Sequence, residues 1–247
     1  MNQNNQTINQ MRTITISREY GSGGGEIATR LARHLQWQLI DHEIVERVAI
    51  EMGTSLGAAE AHDERTEGIL SRTFKNLQSL QPAYMVGASS EGFLRNEETY
   101  LQTVSRIVRA AASQGHAVIV GRGSQMLLAQ QRDVLHIRII APLEKRIDYV
   151  MKREGIDRTA AELRIKMKDR DRTKHLETAF HRKPEDAHLY DIVLSSASLD
   201  LNSAVEIIIL ALQQKARQLS VNTDELGPVV GLPPYPEKPA DFHPRVG

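Results

Sequence analysis

Residues 12–35 read RTITISREYGSGGGEIATRLARHL, and the order of residue types in this stretch decides the fold class. The β-branched run from Arg12 to Ser17 predicts a short strand. The glycine cluster Gly21, Ser22, Gly23, Gly24, Gly25 ends it, and Ile27, Leu31, Ala32 and Leu35 then recur at helical spacing. A glycine loop between strand and helix brings backbone N–H groups and the positive end of the helix dipole to one point, where a phosphate can be held.

Gly21 to Gly25 are therefore candidate phosphate-binding residues. The pattern G-x-x-x-x-G-K-[ST] is not met, because the loop holds no lysine and no Ser or Thr directly follows it. Two other readings stand beside this one. The loop can be a simple tight connection, or part of a dinucleotide site, since Gly21-x-Gly23 opens a helix and Asp41 ends the next strand about 20 residues on. Glu26 occupies the third glycine position of that fingerprint and removes its close helix packing.

Outward from the loop, Trp37–Ile40, His116–Val120, Val134–Ile140 and Asp191–Ser195 read as further strands. Helical patterns lie between them at Ile44–Ala49, Val104–Ala111, Leu143 to about His188, and Leu201–Leu219. Such alternation predicts an α/β domain with a mostly parallel sheet. Residues 1–11 are expected to be a disordered leader without the basic and apolar regions of a signal peptide. A domain is expected over 12–220, with a mobile inserted lobe at 53–100 and a charged helical lid at 143–188. The segment 221–247, with six of the nine prolines, reads as an extended tail. The tail alone supports a further reading, a scaffold that recruits partners.

Lys+Arg and Asp+Glu balance at 31 each, so no global field draws the chain to nucleic acid or to an acidic membrane, and any anion site is local. With no cysteine, disulfides, thiolate metal sites and cysteine nucleophiles are excluded, which fits a cytoplasmic setting. The apolar run at Ala204–Leu212, broken by Glu206, is far shorter than the roughly 20 residues a membrane span needs, so a soluble chain is expected. The histidines show no zinc spacing and are expected at the surface or satisfied in the core. Trp37 is expected to pack at the end of the first helix.

Several stretches carry a resemblance. Ile14-Thr15-Ile16 followed by Ser17-Arg18-Glu19-Tyr20-Gly21-Ser22-Gly23-Gly24, then Leu39-Ile40-Asp41 with Arg47, Gly121-Arg122, and Asp169-Arg170-Asp171-Arg172-Thr173-Lys174 occur in the order seen in cytidylate kinases. The likeness runs on through Ile192–Ser196 and the helix at Leu199–Leu212, and Gly24 stands where those enzymes have their loop lysine. The chain thus resembles the cytidylate kinase-like, lysine-free branch of the P-loop nucleoside monophosphate kinases. The resemblance implies a three-layer P-loop NTPase-like parallel sheet flanked by helices, with an inserted monophosphate-binding lobe and a helical lid. It further implies phosphoryl transfer from ATP with Mg²⁺ to CMP, dCMP or a related nucleotide. The alternative on the same fold is a weak or inactive nucleotide-binding regulator.

Phosphoryl transfer needs cations converging on the phosphates. The candidates are Arg18, Arg122, Arg170 and Lys174, with Asp171 orienting one of them or the acceptor. Asp41 and Arg47 are candidates for the acceptor sugar or base and its phosphate, as is Arg122 for that phosphate. Each has a plainer reading: Asp41 as a helix N-cap, Arg122 as an exposed arginine, and the 169–174 charges as a solvated helix face. In place of the missing lysine, Arg18 or the charged lid is expected to compensate. No metal ligand is singled out: Ser22 and Thr29 are weak candidates, and Glu26 meets phosphates only by pointing away or through Mg²⁺.

Overall fold

The structure, a computed structural model, describes residues 8–41, 44–45 and 97–227. Arg47, all of the expected lobe before residue 97 and the tail from residue 228 lie outside them.

Strands β1 (Thr13–Arg18), β2 (Gln38–Ile40), β3 (Ala117–Val120), β4 (Val134–Ile140) and β5 (Ile192–Ser195) form one sheet in the order β2-β3-β1-β4-β5. All four pairings are parallel, with Ile16 of β1 opposite both Val120 and Ile137. The helices are α1 (Gly24–Leu35), α2 (Glu97–Gln114), α3 (Ser124–Leu127), α4 (Leu143–Glu154), α5 (Arg158–Phe180) and α6 (Leu201–Arg217). Pleating sends alternate residues to opposite faces. Val118 and Val120 join Ile14, Ile16, Leu135, Ile137 and Ile139 against α1 and α6, while Ala117 and Ile119 meet Val104, Ile107, Val108 and Ala111 of α2. Helices therefore cover both faces, which is the three-layer α/β architecture of P-loop proteins. No helix among the described residues is long and apolar enough to cross a membrane.

Three expectations need adjusting. Ile8 and Met11 are buried in the core, so the packed chain begins before residue 12. Two apolar side chains in an amide-rich segment are too few to show a period. The lid region is two helices rather than one continuous stretch: Gly155 ends α4 at positive φ, and Asp157 caps α5 by accepting the Ala160 N–H at 2.8 Å. Between Phe180 and β5 only a 3₁₀ turn at Ala187–Leu189 remains helical. Trp37 packs in the core, tilted against His116 at 5.4 Å.

Central strands of parallel sheets, buried on both faces, are usually apolar throughout. Here the second face of β1 and β4 is polar. The Thr15 hydroxyl is 2.7 Å from His136 Nδ1, and Arg138 donates to the Ser17 hydroxyl at 3.0 Å. The His136 N–H donates to Asp191 Oδ2 at 2.7 Å, and Lys215 binds the same oxygen at 2.6 Å. His136 is a core histidine, its ring held by Thr15 and drawn to the Leu128 backbone. Burial pushes the imidazole down to about 4, the Lys215 charge adding to this and Asp191 opposing it. The unfolded chain then binds this proton between about pH 6.5 and 4 while the folded chain does not, so stability falls as pH drops through that window. The expected loss is on the order of 3 kcal/mol. Urea melts across that range should show it in the native chain and not in His136→Gln.

Candidate active site

The site is assembled where the carboxyl ends of β1, β3 and β4 meet the first turn of α1, the edge at which open α/β sheets bind ligands. The loop after β1 is stitched to β4: the Glu19 N–H donates to the Ile139 carbonyl at 3.0 Å, and the Ala141 N–H to Glu19 Oε2 at 3.0 Å. Ser22 is buried and turns its hydroxyl inward, onto the carbonyls of Glu19 (2.9 Å) and Ile139 (3.2 Å). Gly23 caps α1 with no side-chain bond, so the first-turn amides of α1 have no acceptor of their own and stay free for an anion.

Arg18 explains the glycine at the lysine position. A Cβ on Gly24 would sit 2.7 Å from the Arg18 Cβ and 3.4 Å from that of Ile139, and a Cβ on Gly121 would sit 2.5 Å from Arg18 Nη1. The Arg18 side chain therefore runs across the sheet edge from the loop to the end of β3, between two positions that only glycine can fill. Because the obstruction at Gly24 is a backbone-proximal Cβ and not a flexible tip, Gly24→Ala should cost about 1–3 kcal/mol. Denaturant melts should register that loss, and a second change, Arg18→Gly, should recover most of it.

Around Arg18 the cations crowd. Burial, then the guanidinium groups of Arg172 and Arg122, press its pKa down to about 9, with Asp41 partly opposing. Arg172 is likewise lowered, first by burial and also by Arg138 and Arg146, while Asp169 and Tyr20 act the other way. A guanidinium does not give up its proton in practice, so the crowding appears as affinity for an anion. Arg138 is nearly fully buried, and Arg122 adopts φ 59° between two positive-φ glycines. A non-glycine residue in that region is held there by its surroundings, and such residues collect at functional sites.

Asp169 of α5 holds the arrangement together. One carboxylate oxygen accepts the Tyr20 N–H at 2.7 Å and lies 3.4 Å from Arg172, and the other accepts Arg146 Nη1 at 2.5 Å. Arg146 also donates to the Tyr20 carbonyl at 3.2 Å, and Arg172 donates to the Arg18 carbonyl at 3.3 Å while lying over the Tyr20 ring. The Tyr20 hydroxyl donates to Glu154 at 2.5 Å, and burial, reinforced by that carboxylate, pushes the phenol up to about 12.

Two cavities meet at this cluster. One of about 270 Å³ lies over Gly21, Gly23, Gly24 and Gly25, and a second of about 100 Å³ lies between Ser17, Arg122, Arg138 and Asp169. Arg18, Glu19 and Arg172 line both. A third, of about 450 Å³, is lined by Arg122, Arg106, Leu101 and Phe180. Of the residues picked from sequence, the glycines, Arg18 and Arg122 come together here. Asp41 is an N-cap, accepting the Ile44 N–H at 3.0 Å, and its charge also reaches Arg18. Arg170 and Asp171 are exposed and lie 3.8 Å from each other, Lys174 is exposed, and none of the three lines these cavities. Asp169, Arg172, Arg138 and Arg146 were not picked out. The signal for two of them was present: Ala161, Ile165, Asp169, Arg172 and Leu176 form one stripe at helical spacing, whose apolar members are buried.

Residues 13–198 match the model of the cytidylate kinase-like family. The chain belongs to that family. Among curated relatives, a cytidylate kinase of Methanopyrus kandleri is 33% identical over 102 residues, 38% of this chain and 53% of that protein. A uronate isomerase of Corynebacterium glutamicum is 29% identical over 134 residues, 54% of this chain and 25% of that protein. The chain thus spans about half of one relative and a quarter of the other. An uncharacterized protein from Eubacterium ventriosum shares the fold, with TM-score 0.60 and 22% identity over 81% of this chain and 98% of that one.

For a cytidylate kinase-like chain, a triphosphate fits the glycine loop through free amides and the adjoining guanidiniums. Among the described residues, the side chains beside the loop do not fit a protein-built Mg²⁺ site. Ser22 faces inward, Thr29 donates to the Gly25 carbonyl at 3.0 Å, and Glu26 pairs with Arg30 at 3.0 Å and Arg153 at 3.7 Å. Among the described residues no group of three His, Cys, Asp or Glu is placed to hold a metal.

Proposed function

We propose that this chain moves the γ-phosphoryl group of ATP to a nucleoside monophosphate, with CMP or dCMP as acceptor, giving the diphosphate. The observation that carries the reading is that Arg18 and Arg172 line both the loop cavity and its neighbour. A group passing from a donor in one to an acceptor in the other crosses between the same two guanidiniums, where charge on the transferring phosphoryl is stabilised. In the reaction an acceptor phosphate oxygen bonds to the γ-phosphorus as its bond to the ADP oxygen breaks.

Gly21 to Gly25 hold the donor phosphates through main-chain N–H groups, and Arg18 supplies the charge that a loop lysine would. Arg122 and Arg47 bind the acceptor phosphate, and Asp41 its sugar or base. On α5 the role expected of Arg170, Asp171 and Lys174, which are exposed, passes to Arg172, which lines both cavities. Mg²⁺ accompanies the ATP phosphates, as it commonly does, keeping most of its water. A cytoplasmic setting supplies these nucleotides and agrees with the cysteine-free sequence.

The test is the purified chain with ATP, Mg²⁺ and a panel of monophosphates, followed for diphosphate formation and by thermal shift. Turnover with CMP or dCMP above the other monophosphates is expected. Thermal stabilisation by ATP without any product would favour the regulator, for which the lysine-free position 24 speaks. Absence of both signals would discard the nucleotide reading.

A further inference from the structure

The polar face of β1 and β4 does more than floor the phosphate site. Behind the acceptor cavity lies another, of about 390 Å³, bounded by the turn after α3, the segment 188–191 and the end of α6. His136 lines it and is 7% exposed, its Nδ1 fixed by Thr15 and its ring also drawn to the Leu128 backbone. Gln125, 4% exposed, lines both this cavity and the acceptor cavity. Tyr190 forms part of the wall, its hydroxyl donating to the Pro184 carbonyl at 2.9 Å and lying 3.2 Å from the Ser17 hydroxyl, with Arg138 over its ring.

We propose that this cavity is a second ligand site, for an uncharged nucleoside, back to back with the acceptor cavity. The walls indicate the class. Gln125, Gln130, Gln131 and Gln218 line it, and a glutamine amide presents a donor and an acceptor side by side, the pattern that pairs with a base edge. Met126, Leu189, Leu219 and Leu226 add apolar surface for a flat ring. The cations are already engaged: Arg132 donates to the carbonyls of Gln218 (2.8 Å) and Val221 (2.7 Å), and Lys215 is bound to Asp191 at 2.6 Å. A phosphate therefore gains little here, in contrast to the cluster around Arg18. The volume suits a nucleoside-sized molecule, within the ordinary range of small-ligand pockets. Because Gln125 belongs to both cavities, a ligand that orients its amide also alters the wall of the acceptor site.

Equilibrium dialysis of the full chain against cytidine, uridine, adenosine and guanosine tests this, with Ala129→Trp and Leu226→Trp built to fill the cavity from exposed positions and Arg18→Ala to disable the phosphate site. At least one nucleoside should bind the native chain and Arg18→Ala alike, and bind either tryptophan variant about tenfold or more weakly. The thermal response to ATP should persist in the tryptophan variants, which separates a failure here from a failure of the phosphotransferase reading. The proposal is overturned if no nucleoside saturates the native chain below about 10 mM. It is equally overturned if binding is lost in Arg18→Ala but kept in both tryptophan variants, or if the matching nucleotide binds this cavity more tightly than the nucleoside.

Discussion

Arg18→Ala should lower kcat/KM for diphosphate formation by about 10²–10³-fold, mostly through kcat. Its guanidinium lies between the two phosphate cavities, so its strongest interaction is with charge in transit and not with either resting substrate. The folded chain should be no less stable for the loss. Burial and the neighbouring Arg172 and Arg122 charges already disfavour that guanidinium in the absence of an anion. The Cβ that closes over Gly24 is kept in alanine, so the loop stays in place. Steady-state kinetics and thermal melts with and without ATP check both halves. Unchanged kcat with only a raised KM would mean that Arg18 merely gathers substrate.

Asp169→Asn has the second large effect and reaches the site indirectly. The carboxylate accepts from Tyr20 at the start of the loop and from Arg146 of α4, and it lies beside Arg172. An asparagine can keep the Tyr20 bond, but its NH₂ then faces the Arg146 guanidinium, donor against donor. Breaking such a partly buried charge pair is expected to cost about 2–4 kcal/mol in urea melts. With Arg172 released, kcat should fall about 10²-fold, as misplaced catalytic groups commonly cause, while Asp169→Glu should recover part of the stability and less of the rate. A native-like kcat in a destabilised Asp169→Asn chain would show that Asp169 braces the fold without placing Arg172.

The strands were legible because each is a compact apolar or β-branched run, and their observed limits agree with the sequence to within a residue or so. The glycine loop was legible for the same reason, as a break between two periodicities. The course of Arg18 was not, because it depends on β3 lying beside β1, and that neighbour relation brings Gly121 to its guanidinium from more than a hundred residues away. Arg170, Asp171 and Lys174 drew attention as a dense charge run. Helical phase, set by Ala161, Ile165 and Leu176, puts Asp169 and Arg172 on the inward side instead. Arg138 and His136 were hidden inside Val134–Ile140, since a strand read as apolar gives no hint that its second face is polar until β1 supplies Thr15 and Ser17 as partners.

The close approach of positions 18 and 24 also bears on how such a loop changes over time. Installing a lysine at 24 while an arginine occupies 18 places two long side chains where the backbone leaves room for one, and removing the arginine first takes away the cation nearest the loop. Each single step is a loss and only the joint exchange is tolerable, so the two residues form an epistatic pair. A lineage carrying this arrangement is then kept from drifting toward the lysine form by a valley in its mutational landscape, one set by a few tenths of a nanometre of van der Waals contact.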